Sequence, residues 1–329
     1  MRIVIAPDSF KGTYTARQVA DAVADGVHDG GAHPVRIPGA DGGEGTVAAL
    51  TEPLGLQQLT IPTVDPWRST TTATYGLSVA GTAVIEVAAA SGYCDDAANR
   101  PRAALEADTY GTGLLIADAA ARGARHIIVG AGGSASTDGG LGAITAINEC
   151  GGITDVHITV LIDVTTPYCE AAEVFGPQKG ADPVDVEVLT QRLIDLAGHL
   201  PRDPTAVAGS GAAGGLAGGL WSAFGAHMRS GAEFVLDHNG FGSAAHTASA
   251  VVVGEGRLDH QTRAGKLISA IVERVGRTRP IFAVVGSRAP DLGDYAENFT
   301  AIHVASHLTD MRNAGAAIAA AMRKNAPIA

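Results

Sequence analysis

Lysine is nearly missing from this chain: only four of its 23 lysines and arginines are lysines, Lys11, Lys179, Lys266 and Lys324. Basic charge as a whole is in deficit, with 34 Asp and Glu giving a net charge of −11 and a pI near 5.4. That balance excludes the dense cationic surface on which nucleic-acid binding depends and argues against adhesion to anionic lipid. No apolar run reaches the ~18 residues of a membrane-spanning helix. The opening Met1–Asp8 turns into a strand too early for a signal peptide. Cysteine is scarce too: Cys94, Cys150 and Cys169 form no CxxC pair, so neither a disulfide frame nor a zinc site is indicated. These absences lead us to expect a soluble cytoplasmic protein, a monomer or homodimer, whose partners are small molecules and neither nucleic acid nor membrane.

Glycine is abundant. The 43 glycines are about twice the average share of ~7%, and they cluster without a collagen-like period. Between the clusters, short apolar runs alternate with helical periods. Ile3–Ala6, Val35–Pro38, Ala83–Ala88, Ile127–Val129, Ile158–Ile162, Ala250–Val253 and Ile281–Val285 read as strands. Thr15-Ala16-Arg17-Gln18 reads as a capping box opening a helix with Val19, Val23 and Val27 on one face. Leu114–Arg122 reads as a helix stopped by Gly123, and Lys266–Val275 as another with a buried Leu267/Ile271/Val275 stripe. The alternation implies βαβ units and a mainly parallel sheet. The Thr-rich stretch Leu59–Val87 differs: it reads as extended and antiparallel, the place for a second sheet and a second domain.

In open α/β sheets, ligands gather beyond the carboxyl ends of the strands. Five unusual segments follow strands: Pro7–Thr13, Asp41–Gly45, Gly130–Gly140, Asp163–Thr166 with Phe175–Gly180, and Gly254–Asp259. All five are expected on one edge of one sheet. Three of the four lysines lie in or beside them, where a compact point charge meets phosphate. Glycine-rich loops that open helices make anion sites, and Gly130–Gly140 is the best of these. Asp8, Asp41, Glu44, Asp138, Asp163, Glu255 and Asp259 suit Mg²⁺ ligation or base catalysis beside a polyphosphate. Cations, acids and glycines together read as phosphoryl transfer. Familiar nucleotide motifs fail: Gly265-Lys266 is followed by Leu267 and lacks the first Walker glycine, and Gly209–Gly214 matches GxGxxG without a strand before it.

The strings Met1–Thr13, Ala40–Thr46, Glu86–Gly92, Thr109–Gly113, Gly132–Gly140, Asp163–Thr165 with Val174–Ala181, Gly209–Gly215 and Gly254–Lys266 resemble, in order, the bacterial glycerate kinase family of the glyoxylate and glucarate type. The most specific are Val174-Phe175-Gly176-Pro177-Gln178-Lys179-Gly180-Ala181 and Gly254-Glu255-Gly256-Arg257-Leu258-Asp259. The resemblance implies an ATP- and Mg²⁺-dependent kinase that phosphorylates D-glycerate, most often at the 2-hydroxyl, with phosphorylation at O3 or of another small hydroxyacid as an alternative and a non-catalytic metabolite binder as a second. It implies two intertwined α/β domains: a discontinuous one from residues 1–58 and 250–329, and an inserted flavodoxin-like one over 59–249, with the reaction between them. Lys11, Lys179 and Arg257 are expected to hold phosphate or carboxylate. Asp41 or Asp163 is expected to serve as base or metal ligand. Ser9, Gly132, Gly133, Ser134, Gly139, Gly140, Gly211 and Lys266 are expected to bind ATP, and Asp8, Asp138 and Glu255 the metal. The sequence departs from the family where Cys150–Asp155 nearly closes a usually longer segment, and at Thr137 and Thr166, where Asn is usual.

Overall fold

The computed structural model describes residues 1–93, 103–259 and 266–324. In chain order the strands and main helices begin with β1 (Arg2–Pro7), α1 (Ala16–Asp29), β2 (His33–Arg36), α2 (Thr46–Leu54), β3 (Leu56–Val64), β4 (Thr70–Ser78) and β5 (Thr82–Glu86). The short α3 (Ala88–Ser91) and α4 (Ala103–Glu106) precede α5 (Tyr110–Ala121), β6 (His126–Gly130), α6 (Leu141–Glu149), β7 (His157–Ile162), α7 (Ala171–Phe175), α8 (Pro183–Ala197), α9 (Leu216–Phe224) and β8 (His227–Ser230). The chain closes with α10 (Gly231–His238), α11 (Phe241–Thr247), β9 (Ala250–Leu258), α12 (Leu267–Val275), β10 (Ile281–Arg288), β11 (Ala301–Val304) and α13 (Leu308–Lys324). No helix of the described residues is long and apolar enough to cross a membrane.

Two compact units result, one from Met1–Asp41 with Ala232–Ala329 and one from Gly42–Gly231. The first carries a five-stranded sheet in the order β11-β10-β9-β1-β2, parallel throughout. Alternation along β1 explains its two covered faces. Ile3 and Ile5 point into a core with Val19, Val23 and Val27 of α1 and Met311 and Ile318 of α13. Val4 and Ala6 point into the opposite core with Leu236, Phe241, Leu267 and Ile271. The Thr15 capping box forms as expected, with Gln18 N donating to Thr15 Oγ1 at 3.2 Å and Thr15 N to Gln18 Oε1 at 2.9 Å.

The second unit carries a six-stranded mixed sheet, β3-β4-β5-β6-β7-β8. The Thr-rich stretch is antiparallel, from Leu56 opposite Ser78 to Val64 opposite Thr70. β5 is the seam: antiparallel to β4 and parallel to β6. Ile85, Val129 and Val160 of the strands pack with Leu115, Ile147 and Leu220 of α5, α6 and α9.

Two expectations change here. The flavodoxin strand order 2-1-3-4-5 belongs to the unit built from the chain ends, and the middle unit has a mixed sheet. The unit borders fall at 41/42 and 231/232 instead of 58/59 and 249/250. The reason is packing: α2 lies against β3 and β5, while Ala232, Leu236, Phe241 and Ala245 of α10 and α11 fill the core behind β1. The shortened Cys150–Asp155 segment is a tight turn, with Gly151, Gly152 and Asp155 all at positive φ.

Candidate active site

The five chemistry-bearing loops do not share one sheet edge. They form two groups, one on each unit.

In the first unit, Asp8 follows β1 and Glu255 lies near the end of β9, its parallel neighbour, with Pro7 in register with Gly254. The chain beyond β2 stays hydrogen-bonded to β1 through Ile37 N to Ile5 O at 2.8 Å and Gly39 N to Pro7 O at 2.9 Å. That delivers Asp41 to the same edge. The β1/β9 boundary is where the strand order reverses, the crevice in which doubly wound sheets bind ligands. Asp8, Asp41 and Glu255 are all buried. Burial pushes the Asp8 carboxyl up to about 8, and the Asp41 charge beside it adds to the rise against the Ser9 amide and the Lys11 ammonium. Ser9 N donates to Asp8 Oδ1 at 2.6 Å, while the buried Ser9 hydroxyl has no hydrogen-bond partner. Lys11 is exposed at the turn that follows. Arg257, further along β9, is exposed and pairs with Asp259 at 3.2 Å. Lys266 takes the position before the first turn of α12; His260 and Gly265 lie outside the described residues.

In the second unit, Lys179 ends a short 3₁₀ turn, Pro177–Lys179. Its Nζ donates to Ser134 Oγ at 3.0 Å and to the Ser136 carbonyl at 2.5 Å. Burial pulls its ammonium down to about 7, with the Asp138 charge pulling the other way. The Ser136 hydroxyl is fully buried without a partner. The Gly132–Asp138 loop is held by its edges: Gly132 N donates to Gly42 O, Ala135 N to Ser91 O and Gly139 N to Gly214 O. Among the described residues, the amides of Gly133, Ser136 and Thr137 donate to no neighbour in the protein chain. Asp163 follows β7 in this same unit.

Three expected roles are revised. Asp138 is not presented to a metal, because its carboxylate is already taken by four donors: Thr109 N and Oγ1, Gly140 N and Gly142 N. Gly139 and Gly140 belong to that cap, so the start of α6 is satisfied internally and the donors left for an anion lie upstream, at Gly133–Thr137. Gly211 is a packing residue: a Cβ there would stand 2.5 Å from the Pro167 carbonyl. Gly132 also sits at a close approach, 2.4 Å from a virtual Cβ to Gly43 Cα. The reading of the residues missed Thr109, Ser136 and Glu86. Glu86 Oε1 accepts from Gly45 N at 3.1 Å and Val47 N at 2.8 Å, closing the start of α2. A Ser or Thr just before a helical period was the available sign for Thr109; a carboxylate capping from 41 residues away leaves none.

The donor chemistry of the acid group fits Mg²⁺. Among the described residues no three Asp, Glu, His or Cys converge as a metal cage. Mg²⁺ is usually held by one or two carboxylates together with waters and substrate phosphates. Three buried carboxylates on one sheet edge, among which burial pushes Asp8 up to about 8, beside an unpartnered hydroxyl, are donors that such a cation relieves.

Residues 3–150 and 148–327 match the glycerate kinase family. The chain belongs to that family. It is 36% identical to the glycerate kinase of Halalkalibacterium halodurans, over 87% of this chain and 85% of that one. It is 34% identical to the glycerate 2-kinase of Escherichia coli K12, over 89% and 87%. A crystal structure from Salmonella typhimurium LT2, provisionally described as glycerate kinase 2, superposes with a TM-score of 0.80 at 33% identity and covers 98% of both chains. The family's fold is thus the fold of this chain, in both units.

Proposed function

We propose that this protein is an ATP-dependent glycerate kinase acting at the 2-hydroxyl of D-glycerate to give 2-phosphoglycerate and ADP. The hydroxyl oxygen attacks the γ-phosphorus, the bond to the β,γ-bridging oxygen breaks, and the hydroxyl proton passes to a carboxylate. Reactions of this type depend on placement and charge neutralisation. The observation that carries the reading is the buried Lys179 bonded to the glycine-rich loop at Ser134 and Ser136, beside the open amides of Gly133, Ser136 and Thr137, an anion site of the kind phosphate or a substrate carboxylate needs.

Asp8, Glu255 and Ser9 are the residues that would hold Mg²⁺, joined by Asp41 if Asp163 is the proton acceptor. The ion supplies neutralisation of phosphate charge. Gly133–Thr137 and Lys179 bind an anionic group of one substrate, and the exposed Lys11 and Arg257 add positive charge beside the acidic group. Asp41 and Asp163 are the two candidates for the proton acceptor; Asp41→Asn and Asp163→Asn separate them, because loss of the acceptor lowers kcat with KM retained. A cytoplasmic location goes with this reading.

The test is ADP release with D-glycerate, tartronate and glycolate as acceptors, with phosphorus NMR of the product. Turnover with glycerate and a resonance for phosphate on O2 support the proposal. Phosphate on O3, or preference for another acceptor, replaces it with the corresponding kinase. ATP binding without turnover replaces it with a binding protein.

A further inference from the structure

Asp138 combines two features. Its Oδ2 accepts from Thr109 N at 2.9 Å, Thr109 Oγ1 at 2.8 Å and Gly142 N at 3.0 Å, and its Oδ1 from Gly140 N at 3.1 Å. Thr109 immediately precedes α5 and Gly140 immediately precedes α6. One carboxylate therefore closes two helix starts, where the helix dipoles favour negative charge. Thr109 Oγ1 extends the weld by accepting from Ala143 N at 3.0 Å. Asp138 also terminates the loop whose Ser134 and Ser136 receive the Lys179 protons. Those two acceptors are neutral dipoles, and the Asp138 charge favours the Lys179 ammonium against the larger effect of burial.

We infer that Asp138 is a positioning residue for phosphoryl transfer: it fixes the anion-binding loop against α5 and α6 and places a negative charge at the end of the loop that holds the buried Lys179. This rests on the reading that the Lys179 loop binds an anionic substrate group. The other ionisable groups around Asp138 are accounted for. Arg68 is paired with Asp108 at 2.6 Å, and Arg192 donates to Leu105 O at 2.8 Å. Both arginines, Asp108 and Glu106 line a cavity of about 240 Å³ that Asp138 borders. The Tyr168 hydroxyl donates to Gly139 O at 2.9 Å.

The experiment is the pH profile of kcat/KM for the full-length enzyme, which reports groups titrating in the free protein. Loss of the Lys179 proton gives an alkaline limb. In Asp138→Asn that limb moves to lower pH by roughly one unit, as loss of a near opposite charge does, and KM rises about tenfold (roughly 1.4 kcal/mol) with a smaller change in kcat. In Thr109→Val, which deletes the hydroxyl's two hydrogen bonds, to Asp138 Oδ2 and from Ala143 N, and keeps the charge, the limb stays where it is. A limb at the wild-type position in folded Asp138→Asn overturns the inference. Should that variant not fold, Asp138→Glu decides: it keeps the charge and displaces the bonds, so the limb stays and kcat/KM falls at least tenfold. An unchanged kcat/KM there overturns the positioning role. Lys179→Met distinguishes the underlying reading: full activity in that variant removes the anion site itself, whereas an inactive Lys179→Met with an unmoved limb in Asp138→Asn removes only the role of Asp138.

Discussion

Replacing Lys179 by methionine should make the protein more stable and inactive, and the stability gain should vanish at high pH. An ordinary lysine titrates at 10.5, and burial brings Lys179 to about 7. At 1.36 kcal/mol per pH unit, holding this side chain out of water at neutral pH costs the native state about 5 kcal/mol. Methionine has similar length and no charge to desolvate. Against that gain, Ser134 Oγ and Ser136 O lose their donor, at about 1–3 kcal/mol each where no water replaces it. The net expectation at pH 7 is stabilisation on the order of 1–2 kcal/mol. The sign with pH follows from proton counting. Between about 7 and 10.5 the unfolded chain binds a proton that native Lys179 does not, so wild-type stability rises with pH through this window, by at most about 1.4 kcal/mol per unit. Lys179→Met lacks that rise, and the two stability curves cross. Both tryptophans, Trp67 and Trp221, lie in the unit that holds Lys179. Urea unfolding followed by their fluorescence at pH 7 and 9.5 therefore reads the relevant unit, and ADP release should fall at least a hundredfold. A gap between variant and wild type that is constant from pH 7 to 9.5 would refute the argument, as would full activity.

Asp8→Asn should behave with the opposite sign. Its carboxyl is pushed from 3.8 to about 8, so the wild type loses stability as pH rises through that window, and in metal-free buffer the variant's advantage should grow from pH 4 to 8 and then level off. Hydrogen exchange of the β1 amides reads it, and kinase activity should be lost. Gly214→Ala brings a Cβ to 2.0 Å from the Ser136 carbonyl at a backbone φ of +64°. It should destabilise by about 2–4 kcal/mol and weaken the Lys179 site, checked by unfolding and KM. Glu86→Ala leaves the Gly45 and Val47 amides without their acceptor and should cost about 1–3 kcal/mol in urea unfolding. Glu86→Gln keeps an oxygen there. Because burial holds the Glu86 carboxyl above its ordinary range, the Gln variant should match or exceed wild-type stability at neutral pH.

Local periodicity carried most of the fold. The apolar runs at 3–6, 127–129, 158–162, 250–253 and 281–285 all became strands within a few residues, because each is a central strand with two covered faces. The antiparallel start of the second sheet was legible from the β-branched Thr70–Thr74. Partition into units was not, since α2 and α10 bury short apolar faces that fit either sheet, and only long-range packing decides between them. For the same reason five loops with one chemistry looked like one edge. Asp8 and Asp41 were legible as charged residues beyond strand ends and Lys179 as the lone cation of its glycine-flanked string; the loss of water that moves Lys179 and Asp8 toward neutrality is a property of the packed chain and has no local signature.

Asp41-Gly42-Gly43-Glu44-Gly45 and Asp138-Gly139-Gly140-Leu141-Gly142 share the letters D-G-G-x-G. Each copy meets a helix start at a glycine in the left-handed region, but at different letters: Gly45, the fifth, at φ 94° and Gly140, the third, at φ 81°. Identical letters then diverge in role. In the second copy the aspartate itself, Asp138, caps the helix start. In the first copy the remote Glu86 does that work, which leaves Asp41 to join Asp8 and Glu255 on the edge of the other sheet. A helix start offers several unpaired amides, and in the first copy the fold brings an acceptor for two of them from elsewhere in the chain. The same letters therefore put one aspartate on the sheet edge with Asp8 and Glu255 and make the other a helix cap.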